Sequence, residues 1–166
     1  SNSGICLLFC RNGTLESNNC TYNWRGITLG FSGNSSILSN NCSSNSESGI
    51  GFVQSGNSLL DNNTCAGNEL GIWLCNSGNN TLRNNTCVFN NQDGVRLETP
   101  LPAWIPSPWP TTSRENAVFD NLLYNNLQYG MSIGQYSSAN YAWNNSFVGN
   151  NGAGSEHDSD HVQAND

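Results

Sequence analysis

The phrase N-x-x-L-x-x-N-x-C-x-x-N, followed by a short gap and G-I-x-L, recurs along almost the whole chain. Its clearest marker is a Gly-aliphatic pair at Gly4-Ile5, Gly26-Ile27, Gly49-Ile50, Gly71-Ile72, Gly94-Val95 and Gly130-Met131. The steps between those pairs are 22, 23, 22, 23 and 36 residues. Self-similarity at this period constrains the fold more than any other feature.

Within each unit the apolar residues alternate as in a strand. Two residues after each aliphatic come Leu7, Leu29, Phe52, Leu74, Leu97 and Ile133. A second short strand begins its inward set at Leu15, Ile37, Leu60, Leu82, Val118 and Ala142. Five residues further on stand Cys20, Cys42, Cys65, Cys87, Leu123 and Phe147. No stretch carries the 3.6-residue period of an amphipathic helix. A unit this small cannot bury its apolar face alone, so it stacks on copies of itself. The reading is a parallel β-solenoid of about six to seven coils, 22–23 residues each, with adjacent coils ~4.8 Å apart.

Two columns of asparagine run unbroken through the units. One is Asn18, Asn40, Asn63, Asn85, Asn121 and Asn145; the other is Asn23, Asn45, Asn68, Asn90, Asn126 and Asn150. Asn tolerates the left-handed backbone region, and its amide can bond from coil to coil. Both columns are therefore expected at corners, as ladders. The Gly before each aliphatic is expected at a positive φ or a tight corner. The column Cys20, Cys42, Cys65 and Cys87 reads as buried thiols filling a narrow interior.

With these columns in place, the repeat resembles the right-handed parallel β-helix superfamily, the pectate-lyase-like fold. In particular it is similar to the Asn-rich repeats of bacterial and archaeal surface proteins. The resemblance covers residues 4–155 and implies an all-β fold. It leaves function open, because the superfamily hosts lyases, hydrolases, epimerases, adhesins and structural fibres.

Enzymes of that superfamily place Asp, Arg or Lys on one outer face over neighbouring coils. Here the weak catalytic candidates are Asp93, Arg96 and Glu98, with Arg114 and Glu115 beyond an insertion. The outward column Glu16, Leu38, Asp61, Arg83, Phe119 and Trp143 offers one further acid–base pair, Asp61 with Arg83. Both sets also read as ordinary solvated charge. There is no lysine.

One domain spans residues 1–166, with an insertion over about 98–115 and a polar tail over about 156–166. The insertion holds all five prolines with Trp104 and Trp109. Those tryptophans, with Trp73, are the binding or interface candidates. The loop pair can stack on sugar rings, bury in a neighbouring copy or cover the chain's own surface. The tail's His157 and His161 read as solvated, with Asp158 and Asp160 between them.

Seven cysteines are too many for an ordinary cytosolic chain. Cys6, Cys10 and Cys75 are the disulfide candidates, Cys6 and Cys75 at outward positions. No C-x-x-C or His-bearing cluster suggests a metal, and no cofactor is expected. Of eight N-x-[ST] sequons, Asn19, Asn41, Asn62, Asn84 and Asn144 fall outward and are the glycosylation candidates.

The net charge of −7 with five scattered Arg argues against nucleic acid. No apolar run is long enough to span a membrane. The missing Met and signal peptide read as a mature product or a fragment. Bare strand edges at the terminal coils suggest pairing with other copies or continuation in a longer solenoid. The sequence thus favours an extracellular or cell-surface structural solenoid that self-assembles into a fibre, sheath or layer. Its partners are copies of itself, end to end and laterally, with polysaccharide as a further partner. The alternative is a carbohydrate-binding or polysaccharide-cleaving β-helix module.

Overall fold

The computed structural model describes residues 3–99, 112–134 and 136–150. It is a right-handed parallel β-solenoid built from three parallel sheets, with no helix among the described residues. The first sheet has six strands: Ser3–Leu8, Arg25–Gly30, Ser48–Val53, Leu70–Cys75, Val95–Glu98 and Met131–Ile133. The second has Thr14–Glu16, Ser36–Leu38, Leu59–Asp61, Thr81–Arg83, Ala117–Phe119 and Tyr141–Trp143. The third has Thr64–Ala66, Thr86–Val88, Leu122–Tyr124 and Ser146–Val148. Isolated bridges from Asn19 to Asn41 and from Asn41 to Thr64 carry the third sheet into the earlier coils.

The register follows the repeat. Ile5 pairs with Ile27, Ile27 with Ile50, Ile50 with Ile72, Ile72 with Val95 and Val95 with Met131. Leu15, Ile37, Leu60, Leu82, Val118 and Ala142 form a second in-register stack. Cys65, Cys87, Leu123 and Phe147 form a third. These stacks and the Phe52 column make one core, in which most side chains from Ile27 to Met131 have no exposed surface.

The coil from Ser48 shows how such short strands turn. Gln54, Asn57, Asn62 and Gly67 all adopt positive φ, between 47° and 65°. The residue after Gln54, after Asn62 and after Gly67 points inward with a polar side chain: Ser55, Asn63 and Asn68. Ser58 does the same after Asn57. Each is buried, and each accepts the backbone N–H of its counterpart one coil earlier, at 2.8–3.1 Å. A sharp corner takes that N–H out of the sheet, and an unpaired buried N–H is costly. The ladders therefore satisfy the corners.

Two expectations change here, and two ladders are added. The ladder asparagines do not themselves take the left-handed conformation; the residue before each does, as Ser17, Ser39, Asn62, Asn84, Asp120 and Asn144 show. The repeat glycines are not left-handed either: only Gly67 and Gly149 have positive φ among the described glycines. Gly26, Gly49 and Gly71 are needed because a Cβ there would sit 2.3–2.8 Å from a carbonyl oxygen of the adjoining coil. Finally, two further ladders were not foreseen: Ser32, Ser55, Ser77 and Ser113, and Ser35, Ser58, Asn80, Asn116 and Asn140.

The insertion enters between two members of these ladders. Ser113 donates its backbone N–H to Thr99 Oγ1 at 2.9 Å, which closes the coil across it. Trp104, Trp109, His157 and His161 lie outside the described residues.

Candidate functional site

The polar side chains of several coils converge on the outer face of the first sheet. Its register lines up Cys6, Thr28, Gly51, Trp73, Arg96 and Ser132 in one outward column. Val53, Cys75 and Glu98 line up in the next. Side chains close over Gly51: a Cβ there would lie 3.0 Å from Ser48 Oγ, 3.6 Å from Trp73 Cε3 and 3.9 Å from Arg25 Cδ. The Arg25 guanidinium lies over the Trp73 ring, 5.2 Å from its centroid, a cation–π contact.

Every strong donor on this face already has an acceptor. Arg25 forks onto Glu47, with Nη2 donating to Oε1 at 3.0 Å and Nε to Oε2. That carboxylate raises the guanidinium's pKa further above its ordinary value. Trp73 Nε1 donates to Glu98 Oε1 at 2.7 Å. Arg96 donates to Asp93 Oδ2 at 2.6 Å and to Gln92 Oε1 at 2.8 Å. Gln92 in turn donates to Glu69. Asp93 is fully buried and also accepts from Ser132 Oγ at 2.6 Å and from the Tyr129 backbone N–H at 3.2 Å.

The three catalytic candidates thus separate into two arrangements. Asp93 and Arg96 are a locked pair, while Glu98 belongs to Trp73. Arg114 and Glu115 do not join them: both are exposed, and Arg114 bridges to Ser138 at another corner. Arg25, Glu47 and Ser132 were missed. Their signal was present in the columns flanking the Gly-aliphatic pair, where Arg25 precedes Gly26 just as Asp93 precedes Gly94.

The other candidates are placed as follows. All seven cysteines are free thiols. Cys6 is exposed and Cys10 half-buried, but Cys75 is buried despite its outward direction, 7% exposed. Burial, then the Glu98 charge, pushes the Cys75 thiol up to about 11, while Arg25 opposes the shift. In the inner column, desolvation raises Cys20 and takes Cys42 well above the ordinary range. Cys65 is raised by its hydrogen bond with Cys87 and then by burial. No group of three or more His, Cys, Asp or Glu able to hold a metal is present among the described residues.

The five glycosylation candidates are exposed, yet four have committed amides. Asn41 donates to Asn19, Asn62 to Ser39, Asn84 to Asp61 and Asn144 to Asp120. On the second sheet's outer face Asp61 and Arg83 meet at 2.8 Å. Burial works to raise Asp61, but hydrogen bonds from Asn84 and Arg83 outweigh it and leave the carboxyl below its usual range. Further along that face Phe119 and Trp143 stack at 4.4 Å.

Comparison with solved structures supports this architecture. A double mutant of the periplasmic alginate epimerase AlgG superposes with a TM-score of 0.79 at 22% identity, covering 89% of this chain and 36% of that one. The A-module of the Azotobacter vinelandii mannuronan C-5 epimerase AlgE6 superposes with a TM-score of 0.61 at 14% identity, covering 93% of this chain and 55% of that one. At such identities the likeness speaks for the fold alone, and this chain spans only about a third to a half of those proteins. No curated protein sequence matches the chain. The family model described as "Periplasmic copper-binding protein (NosD)" matches residues 1–163. With the match running over nearly its whole length, the chain belongs to the NosD family of parallel β-helix proteins.

Proposed function

We propose that this chain is a carbohydrate-binding β-helix module acting outside the cytoplasm, and that the Trp73 face holds an uncharged saccharide without cleaving it. The observation that carries the reading is the half-buried Trp73 ring set between the Arg25 guanidinium and the Glu98 carboxylate. A flat apolar ring bordered by a few fixed polar groups is the chemistry that recognises a pyranose. The family description supports a periplasmic or extracellular setting, and the named solved structures include enzymes acting on alginate.

Charge argues for a neutral ligand. The face carries Arg25 and Arg96 against Glu47, Glu69, Asp93 and Glu98, so two positive charges meet four negative ones. Both arginines are committed to acceptors. A polyuronate would meet net repulsion here, with no free cation to neutralise its carboxylate. Proton abstraction is also poorly served, since Asp93 is sealed under three donors and the described residues include no histidine.

The family's description names copper, and the donors among the described residues do not suit it. Cu(I) asks for soft ligands in deprotonated form. The inner thiols are buried and engaged with one another; burial raises the pKa of Cys20 and Cys42, and the Cys87 hydrogen bond and then burial raise that of Cys65. Met131 is buried in the core. The described residues do not supply a copper site, and copper has no part in the proposed function.

Calorimetric titration with neutral oligosaccharides and with alginate tests the reading. The parent is expected to bind a neutral sugar, and Trp73→Ala to lose it while melting as a folded protein. Turnover of any polysaccharide, abolished by Asp93→Asn, would overturn the non-catalytic assignment.

A further inference from the structure

The corner between the first and second sheets carries a polar groove that the Trp73 face does not use. One wall is the column Asn34, Asn57 and Asn79; the other is Ser36, Leu59 and Thr81. The three asparagines are exposed and left-handed, with φ of 54°, 56° and 57°. Their backbone N–H groups are used, donating to Gly56, Gly78 and Arg114 carbonyls. Their side-chain amides take no hydrogen bond among the described residues. This sets them apart from Asn41, Asn62, Asn84 and Asn144, whose amides are tied to neighbouring coils.

Backbone strain alone does not require the repetition. Of the other left-handed corner columns, one accepts Phe9, Phe31, Gln54 and Asn76, one Tyr22, Ser44, Gly67 and Phe89, and one Ser17, Ser39, Asn62 and Asn84. Here Asn is kept through four coils, from Asn12 to Asn79, and gives way to Glu115 where the insertion rejoins the coil. An amide supplies two donors and an acceptor, and a hydroxyl supplies one donor with acceptors. The free Asn amide therefore repeats along the axis every ~4.8 Å, about the length of one sugar ring in an extended chain, with a hydroxyl beside it at Ser36 and Thr81. Leu59 gives the groove an apolar patch, and none of the lining side chains is charged.

We propose that this groove binds a linear, uncharged polysaccharide lying along the solenoid axis, one sugar ring per coil. The proposal rests on the carbohydrate reading above but assigns a second surface on a different side of the solenoid. Polar groups spaced like the ligand's own repeat give recognition that grows with chain length.

The test is titration with neutral β-1,4-linked oligosaccharides of increasing length: cello-, manno-, xylo- and chito-oligomers. Affinity for one series is expected to climb with each added ring and level off once the groove is spanned. Asn34→Gly/Asn57→Gly/Asn79→Gly removes the amides while glycine keeps the left-handed corners. That variant is expected to melt close to the parent and to bind the long oligomer about tenfold or more weakly. Asn57→Gly alone, as a milder change, is expected to show a smaller loss. Parent-like binding by the triple variant, with loss only in Trp73→Ala, would overturn the groove and leave the Trp73 face standing. Binding of no member of the panel by the parent would overturn both.

Discussion

Asn85 Oδ1 accepts two hydrogen bonds from Asn63, one from its backbone N–H and one from its side-chain Nδ2, both at 3.0 Å. The same amide of Asn85 donates back to Leu60 O at 2.9 Å and forward to Asn121 Oδ1 at 3.0 Å. One side chain thus joins three coils at a site with no exposed surface.

Removing that amide strands partners that have no access to water. Asn85→Ala leaves the Asn63 N–H, the Leu60 carbonyl and the Asn121 oxygen each short of a partner. The expected cost is about 2–4 kcal/mol, since an orphaned buried polar group costs more than a hydrogen bond's net worth. Asn62→Gly, one residue before the ladder, keeps its left-handed corner and loses one exposed bond, so it should fall within about 0.5 kcal/mol of the parent. Urea unfolding at neutral pH measures both. Equal losses would mean that the ladder is not what holds the corner.

Columns made of one residue type were legible in the sequence, and columns made by geometry were not. Asn63 and Cys65 belong to stacks whose identity repeats at a fixed step, so sequence alone placed them side by side. Ser58 and Asn80 share a ladder, but a hydroxyl and an amide do not look alike in a repeat. Attention then falls on Asn57 and Asn79, one residue off, which point outward. Cys75 has outward parity along its strand, yet parity does not measure cover where Arg25 and Glu98 come close. In the candidate site, the Asp93–Arg96 pair was readable because its members are three residues apart. Arg25 meets Glu47 and Trp73 only through the stacking of coils.

The repeat glycines provide a test that separates steric need from backbone need. At Gly71 a Cβ would sit 2.3 Å from Gly94 O and 2.9 Å from Cys87 Cβ. Backbone lies on one side and a packed column on the other, so the coil spacing itself must give. Gly71→Ala is expected to cost about 3 kcal/mol or more, as overpacking against backbone does. Gly67 is the reverse case, with φ +65° and nothing within 4 Å of the added carbon. Gly67→Ala should cost only about 1–2 kcal/mol, the penalty for a left-handed non-glycine residue. Thermal or urea melts of the two variants give the order directly. A larger loss at Gly67 would restore the conformational reading of the repeat glycine.

The thiol column makes stability depend on alkaline pH. Cys42 and Cys65 have no exposed surface, and both are held protonated above the ordinary thiol value of 9.0. Cys75 follows, at about 11. These pKa values are raised in the folded state, so their contribution is whole below pH 9, where both states keep the proton. Above it the unfolded chain releases protons that the folded chain retains, and stability declines as pH rises towards each folded value. The slope for one sealed thiol approaches about 1.4 kcal/mol per pH unit at most. Urea midpoints under reductant at about pH 8 and about pH 10.5 should therefore differ more for the parent than for Cys42→Ala/Cys65→Ala. The double variant will be weaker at both values because of its cavities, so the difference between pH values is the readout. Thiol labelling adds an independent check: Cys6 should react first in the folded protein, and Cys42 and Cys65 only after unfolding. A parent and a double variant that lose stability in parallel with pH would show that the column does not titrate as a buried stack.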